Sequence, residues 1–171
     1  MKNIFWPFKK ITRLSRSDEF KAFDCGIADF NDFIQNDALV DQKVGNSVTY
    51  IGHIKGRSAA FISLVSAAFQ TRLIERAHIG DYQYRQVPAI KIARLATDVQ
   101  FQQQGCGSTL LEYSLAVARA VKEFVGCRLL VTDALPEKIG WYRARGFILS
   151  IEPLKQGARG NLPMYQFMPQ D

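Results

Sequence analysis

The stretch Gln100-Phe-Gln-Gln-Gln-Gly-Cys-Gly-Ser-Thr109 separates a run that reads as a strand from one that reads as a helix. Ahead of it, AIKIARLATD (89–98) is apolar and partly β-branched until its polar end. Behind it, 108–125 sets Leu111, Leu115, Ala118, Val121 and Val125 on one helical stripe, with Glu112, Arg119, Lys122 and Glu123 elsewhere and Gly126 in a stop position. Strand, glycine loop and helix in that order aim backbone N–H groups and the positive end of a helix dipole at an anion. A Walker A loop is excluded because Gly107 is followed by Ser108-Thr109 without a lysine, and the dinucleotide fingerprint because Leu110 stands where a glycine is needed. What remains is Gln-x-x-Gly-x-Gly, formed by Gln102, Gly105 and Gly107. On residues alone it is either a cradle for a diphosphate, in whose way a β-carbon at Gly105 or Gly107 would stand, or a polar loop with glycines for turning.

Outward from the loop, strands and helices alternate. A short strand at 11–14 precedes a helical period over 28–44, closed by Gly45-Asn46. Runs 47–54 and 58–65 flank Lys55-Gly56-Arg57 as a hairpin. Segment 70–87 mixes charges, tyrosines and Gly80 without a clean period, as a long loop or a short irregular helix. RLLVTD (128–133) is a strand, and 136–145 a short helix with Pro136 at its first position and Gly146 as its cap. Runs 147–151 and 163–168 supply the last strands.

A chain of 171 residues with 47% apolar and 12% aromatic content suits one folded domain, 1–171. Its net charge of +6 suits anionic partners such as nucleic acid or a phosphorylated cofactor. Three cysteines, Cys25, Cys106 and Cys127, form no C-x-x-C pair, and His53 and His78 are the two histidines, so a reduced chain without a metal site is expected. MKNIFWPFKK is interrupted by Pro7 and does not read as a signal peptide, and the most apolar run, 59–69, is too short to span a bilayer. The expected location is the cytoplasm, with no membrane role.

After a strand ending Leu95-Ala-Thr-Asp98, the loop closely resembles the acyl-CoA diphosphate loop of the GNAT superfamily of N-acetyltransferases. Trp141-Tyr-Arg-Ala-Arg-Gly-Phe147 resembles that family's aromatic-Tyr-x-x-x-Gly-Phe ending. Phe23-Asp-Cys-Gly26, Asp29-Phe-Asn-Asp-Phe33 and Ile92-Ala-Arg-Leu-Ala-Thr-Asp98 are similar to the toxin acetyltransferases of bacterial toxin–antitoxin modules, which acetylate the α-amine of aminoacyl-tRNA. The resemblance implies an α/β (α+β) fold: one mixed, mostly antiparallel, splayed sheet of six to seven strands with about four helices. It implies acetyl-CoA as cosubstrate, no metal, a primary-amine acceptor, and an antitoxin protein and a homodimer as partners. The acceptor reading stands beside two alternatives, a small amine, peptide or protein amine, and a catalytically inactive basic module that binds RNA or protein.

The family pattern distributes roles. The backbone of Leu95, Ala96 and Thr97 would face the pantetheine arm, and Gln102, Gln103, Gln104, Gly105, Cys106, Gly107 and Ser108 would hold the diphosphate. Relatives often carry glycine where Gln103 stands, and often an asparagine in the loop after the next strand, where Thr132-Asp-Ala-Leu-Pro136 has none. Tyr142 is the expected general acid, because a phenol of pKa about 10 can protonate a departing thiolate whose thiol titrates near about 8.5. Its alternative is a core tyrosine with its hydroxyl at the rim. Arg94 lies beside the acceptor or, alternatively, pairs with Asp98 or Asp133. Cys106 is expected as filler and not as a nucleophile. Glu75 and Asp81 are reserve bases or surface acids. Lys9, Lys10, Arg13 and Arg16, with Arg143, Arg145 and Arg159, form a tRNA-facing patch or a solvated face.

Overall fold

Alternating apolar runs become strands β1 (Lys10–Arg13), β2 (Val48–Ile54), β3 (Arg57–Gln70), β4 (Gln86–Thr97), β5 (Leu129–Ala134), β6 (Ile148–Leu149) and β7 (Leu162–Phe167) in the computed structural model, which describes residues 6–151 and 160–169. They make one seven-stranded sheet in the order β1-β2-β3-β4-β5-β7-β6. Pairs β1–β2, β2–β3, β5–β7 and β6–β7 are antiparallel, and β4–β5 is parallel. The sheet is mixed and mostly antiparallel, as the resemblance implies. Helices are α1 (Ala28–Asp32), α2 (Ala38–Val44), α3 (Arg76–Ile79), α4 (Cys106–Lys122) and α5 (Ile139–Arg143). The chain divides into two compact units, Met1–Val65 with Ala93–Ser114, and Ser66–Ile92 with Leu115–Asp171.

In the first unit, the expected helix over 28–44 forms with a π-helical turn, Phe33–Asp37, joining α1 to α2, where the Ala38 amide donates to the carbonyl of Phe33 five residues back. The extra residue lets Phe33, Ile34 and Ala38 all turn inward, where they join Leu14, Phe20, Phe23, Ile51 and Phe61. Gly45 ends α2 at φ +82, and Lys55 and Gly56 turn the β2–β3 hairpin at φ 47 and 77. That pair of left-handed residues is the two-residue turn whose twist suits a hairpin.

The second unit resolves segment 70–87, which the sequence left open. β3 runs on to Gln70, a 3-10 turn spans Thr71–Leu73, α3 follows, and β4 starts at Gln86, ahead of the expected 89. Leu73, Ile74 and Ile79 are buried with Phe69, Val87, Ala89, Leu129, Val131 and Tyr165. Tertiary burial, rather than periodicity, orders this segment. Pro136–Lys138 is a 3-10 turn leading into α5, and Gly146 caps it at φ +87. Helix α4 spans Cys106–Lys122, starting earlier and ending earlier than the stripe suggested. Its buried positions are Cys106, Thr109, Leu110, Leu111, Ser114 and Ala118, whereas Val125 lies beyond its end, 61% exposed. The Ser114 hydroxyl is tolerated there because it donates to the Leu111 carbonyl at 2.7 Å.

The position most sensitive to one added carbon is Gly52. A Cβ there would sit 2.4 Å from the ring of fully buried Phe8. Gly52→Ala should therefore cost about 1–3 kcal/mol, as overpacking does. Thermal unfolding would register this as a clear fall in Tm, and an unchanged Tm would contradict the packing described.

Candidate active site

The loop is assembled around one carboxylate. Asp98, 1% exposed, follows the last residue of β4 and accepts from the amides of Asp24 at 3.1 Å and Gln100 at 2.9 Å. Its own amide donates to Ala59 O, and the Val99 amide to Asp24 O. A 3-10 turn, Val99–Phe101, begins on this cap. The Asp24 carboxylate in turn accepts from the Gly26 amide and the Asn31 side chain, both at 2.8 Å, and Asn31 Oδ1 accepts from the Cys25 amide at 2.9 Å. The Gly26 amide and then Asn31 hold the Asp24 carboxyl below its ordinary range. The two short motifs of the N-terminal region therefore act as one brace behind the end of β4.

The glutamines continue this brace. Gln102 Nε2 donates to Thr97 O at 3.1 Å and Cys25 O at 3.4 Å, and Gln104 Nε2 to Gln100 O at 3.1 Å. Gln103 turns the chain at φ 61 and Gly105 at φ 86. A Cβ on Gly105 would meet nothing nearer than Pro7 Cδ at 3.9 Å, so in the chain alone this glycine answers to its dihedral rather than to crowding. The Thr109 amide makes the first i→i−4 bond of α4, to Gly105 O. The amides of Cys106 and Gly107 precede it, at the positive end of a 17-residue helix. Such a helix start is suited to a diphosphate.

The sequence-derived residues of the first unit thus fall on one continuous stretch: Arg94, Leu95, Ala96 and Thr97 on β4, then Gln102, Gln103, Gln104, Gly105, Cys106, Gly107 and Ser108. The β4–β5 register runs from Ala89↔Leu129 to Ile92↔Thr132, and β4 continues beyond it to Thr97. Arg94 pairs with neither proposed acid. Its guanidinium lies 3.9 Å from the centroid of the Phe33 ring, Asp98 is occupied by amides, and Asp133 is bound by Lys91 at 2.5 Å. Cys106 is 2% exposed, donates to Phe101 O at 3.5 Å, and burial pushes its thiol up to about 11, so a thiolate nucleophile is disfavoured.

A cleft of about 450 Å³ in this unit is lined by Lys10, Asp18, Lys21, His53, Arg57 and Asp98, among others. It mixes both signs of charge, so it lacks the uniform potential that selects an anion. Among the described residues no group of three or more His, Cys, Asp and Glu could hold a metal ion, and no helix is long and apolar enough to cross a membrane.

Tyr142 belongs to the second unit. It is 8% exposed, its ring edges against Trp141 at 4.9 Å and Phe147 at 5.2 Å, and its hydroxyl is bonded to Thr132. Burial raises its pKa, with the Thr132 bond acting in the opposite direction. The Thr132 hydroxyl itself donates to Ile92 O at 3.3 Å. The sequence reading missed Thr132, a buried hydroxyl within β5. The two reserve bases are surface groups: Glu75 lies 3.9 Å from His78, and Asp81, 93% exposed at its side chain, lies 3.6 Å from Arg76. Of the basic patch, Arg159 lies outside the described residues, and Arg145 stacks on Trp141 at 3.9 Å.

Asp98→Asn places an NH₂ group against a backbone amide and forfeits one of two charge-assisted bonds. The expected cost is about 2–3 kcal/mol, read by denaturant unfolding, with faster hydrogen exchange at the amides of Asp24 and Gln100. Wild-type stability and exchange in the variant would refute the bracing role.

No protein-family model matches the chain. A tRNA-acetylating toxin of Mycobacterium tuberculosis is 25% identical over 126 residues, 74% of this chain and 75% of the relative. Among solved structures, a tyrosine-to-phenylalanine mutant of KacT superposes with a TM-score of 0.81 at 21% identity, covering 93% of this chain and 94% of that one. AtaT complexed with acetyl-methionyl-tRNAfMet gives 0.77 at 24% identity, with 94% of each chain covered. A tyrosine-to-phenylalanine mutant of the AtaT toxin, bound to the C-terminus of the antitoxin AtaR and to acetyl-CoA, gives 0.72 at 26% identity, with 93% of this chain and 92% of that one covered. The glycine loop, its bracing motifs and the strand order thus stand in the fold of the GNAT toxins KacT and AtaT, and it is these toxin acetyltransferases of toxin–antitoxin modules that this chain resembles in sequence and in structure.

Proposed function

We propose that the chain is an acetyl-CoA-dependent N-acetyltransferase, a single catalytic domain that moves an acetyl group to the α-amine of aminoacyl-tRNA by direct attack. The observation that carries the reading is the braced loop of residues 102–108, which opens the longest helix directly off β4 in a fold shared with AtaT, a toxin solved with acetyl-CoA. The tRNA-acetylating relative supplies the acceptor class. An antitoxin partner follows on the same ground, since AtaT is solved with its antitoxin. The proposed site of action is the cytoplasm, where charged tRNA is found.

Each residue then has a task. The amides of Cys106 and Gly107 meet the diphosphate, while Gln102 and Gln104 fix the loop that presents them. The strand end Leu95, Ala96 and Thr97 offers backbone groups to the pantetheine arm. Arg94, with its guanidinium over the Phe33 ring, keeps N–H donors for the acceptor. The α-amine, with a pKa near about 8, is neutral in a fair fraction at physiological pH, and this form attacks the thioester carbonyl carbon, losing its proton to water. As the tetrahedral intermediate collapses, the C–S bond breaks and the thiolate takes the proton of Tyr142. Burial keeps that phenol protonated, as an acid must be.

Tyr142→Phe should lower turnover about tenfold to a thousandfold while leaving acetyl-CoA affinity nearly intact. Because burial raises the phenol's pKa, the wild-type rate should persist while the group is protonated and fall only at a pH above the ordinary phenol range, a limb the variant lacks. Unchanged turnover in the variant would remove Tyr142 from the acid role. Gly107→Glu adds an acid to the first turn of α4, which the helix dipole tolerates, so the fold should survive while calorimetry records loss of acetyl-CoA binding. Wild-type affinity in that variant would contradict the loop assignment.

A further inference from the structure

The second unit carries an aromatic–guanidinium ladder that the proposed chemistry does not use. The fully buried Tyr165 packs edge-on against Phe167 at 5.8 Å. The Arg128 guanidinium lies 5.6 Å from the Phe167 ring and 4.9 Å from the Tyr82 ring. Tyr82 then meets Tyr84 at 5.4 Å. The series ends there, with Tyr84 72% exposed.

This outermost ring is held on an ordered backbone. Tyr84 O accepts from the Thr71 hydroxyl at 2.7 Å, Arg85 O accepts from the Thr71 amide at 2.9 Å, and the Tyr82 hydroxyl donates to Gln86 O at 3.1 Å. Little ordering remains for a ligand to impose. The surroundings are basic. Among the described residues neither Arg85 nor Arg128 has a carboxylate within 4 Å, while Asp81 lies 3.6 Å from Arg76 and Glu75 3.9 Å from His78.

We propose that Tyr84, supported by Tyr82 and Arg128 and flanked by Arg85, is a stacking platform for an unpaired base of RNA, a contact of the tRNA body. The proposal rests on the aminoacyl-tRNA reading above. A π-face with adjoining guanidinium groups is the combination that holds single-stranded nucleic acid, the ring taking the base and the cations its phosphates. A protein partner would instead favour a broad apolar face around the ring, and here the neighbours Gln83, Arg85 and Gln86 are polar. The charge points to RNA.

The test is fluorescence anisotropy with labelled, uncharged tRNA on the wild type and on the Tyr84→Ala, Tyr84→Phe and Arg85→Gln variants, with a salt titration. In parallel, acetyl transfer is measured to aminoacyl-tRNA and to aminoacyl-adenosine, an acceptor with no tRNA body. Loss of one stacked base in Tyr84→Ala should weaken tRNA binding about tenfold, with Tyr84→Phe close to wild type. Arg85→Gln should lower the slope of log K against log salt by about one. Transfer to aminoacyl-adenosine should be equal in all four proteins. Wild-type tRNA affinity in Tyr84→Ala overturns the platform, as does a Tyr84-dependent self-association or protein contact with tRNA affinity unchanged. Tyr84-dependent tRNA binding without transfer to either acceptor supports the platform and overturns the function proposed above, so the two failures are distinct.

Discussion

A carboxylate with almost no contact with water, that of Asp98, fixes where the loop begins. A charge in such a place is tolerated when hydrogen bonds replace its hydration, and the amides of Asp24 and Gln100 do so. Because one amide comes from the N-terminal turn and the other from the 3-10 turn after β4, the same group joins two segments far apart in sequence. The Asp24–Asn31 network holds the first segment, and Gln102 returns from the second to Cys25 O and Thr97 O. The left-handed turns at Gln103 and Gly105 and the start of α4 follow from that anchorage.

The residues assigned to the proposed reaction sit in different environments. A helix start can collect an anion without a charged side chain, which is the part proposed for the start of α4. Burial affects two further groups in the same direction with different consequences. For Tyr142 it favours the protonated phenol that the proposed acid role requires, and for Cys106 it disfavours the thiolate. The Arg94 guanidinium lies over the Phe33 ring rather than against a carboxylate.

Much of this was legible in the sequence where local chemistry decides the outcome. Gly45, Gly146 and Lys55-Gly56 stop or turn the chain through left-handed dihedrals, and the elements they delimit lie close to where the pattern put them. Gly105 of the loop and the Trp141–Phe147 motif were legible because a left-handed dihedral and ring packing restrict residue types. Segment 70–87 was not, since Leu73, Ile74 and Ile79 are ordered by partners distant in sequence. Neither was the π-helical turn, which leaves apolar residues at spacings a regular helix also allows. Gln102 was read as a donor to the diphosphate, whereas its side chain braces the loop on two carbonyls. Thr132 depends on the partners Tyr142 and Ile92, which no period in a strand reveals.

The central claim is transfer of acetyl from acetyl-CoA to the α-amine of a charged tRNA. The most direct measurement is the distribution of radiolabel from acetyl-CoA among aminoacylated tRNA, uncharged tRNA, polyamines, free amino acids and peptides. Label on the charged tRNA, released with the amino acid when the ester is hydrolysed, is the predicted result. Label confined to a polyamine or peptide, with charged tRNA bare, would contradict the acceptor assignment.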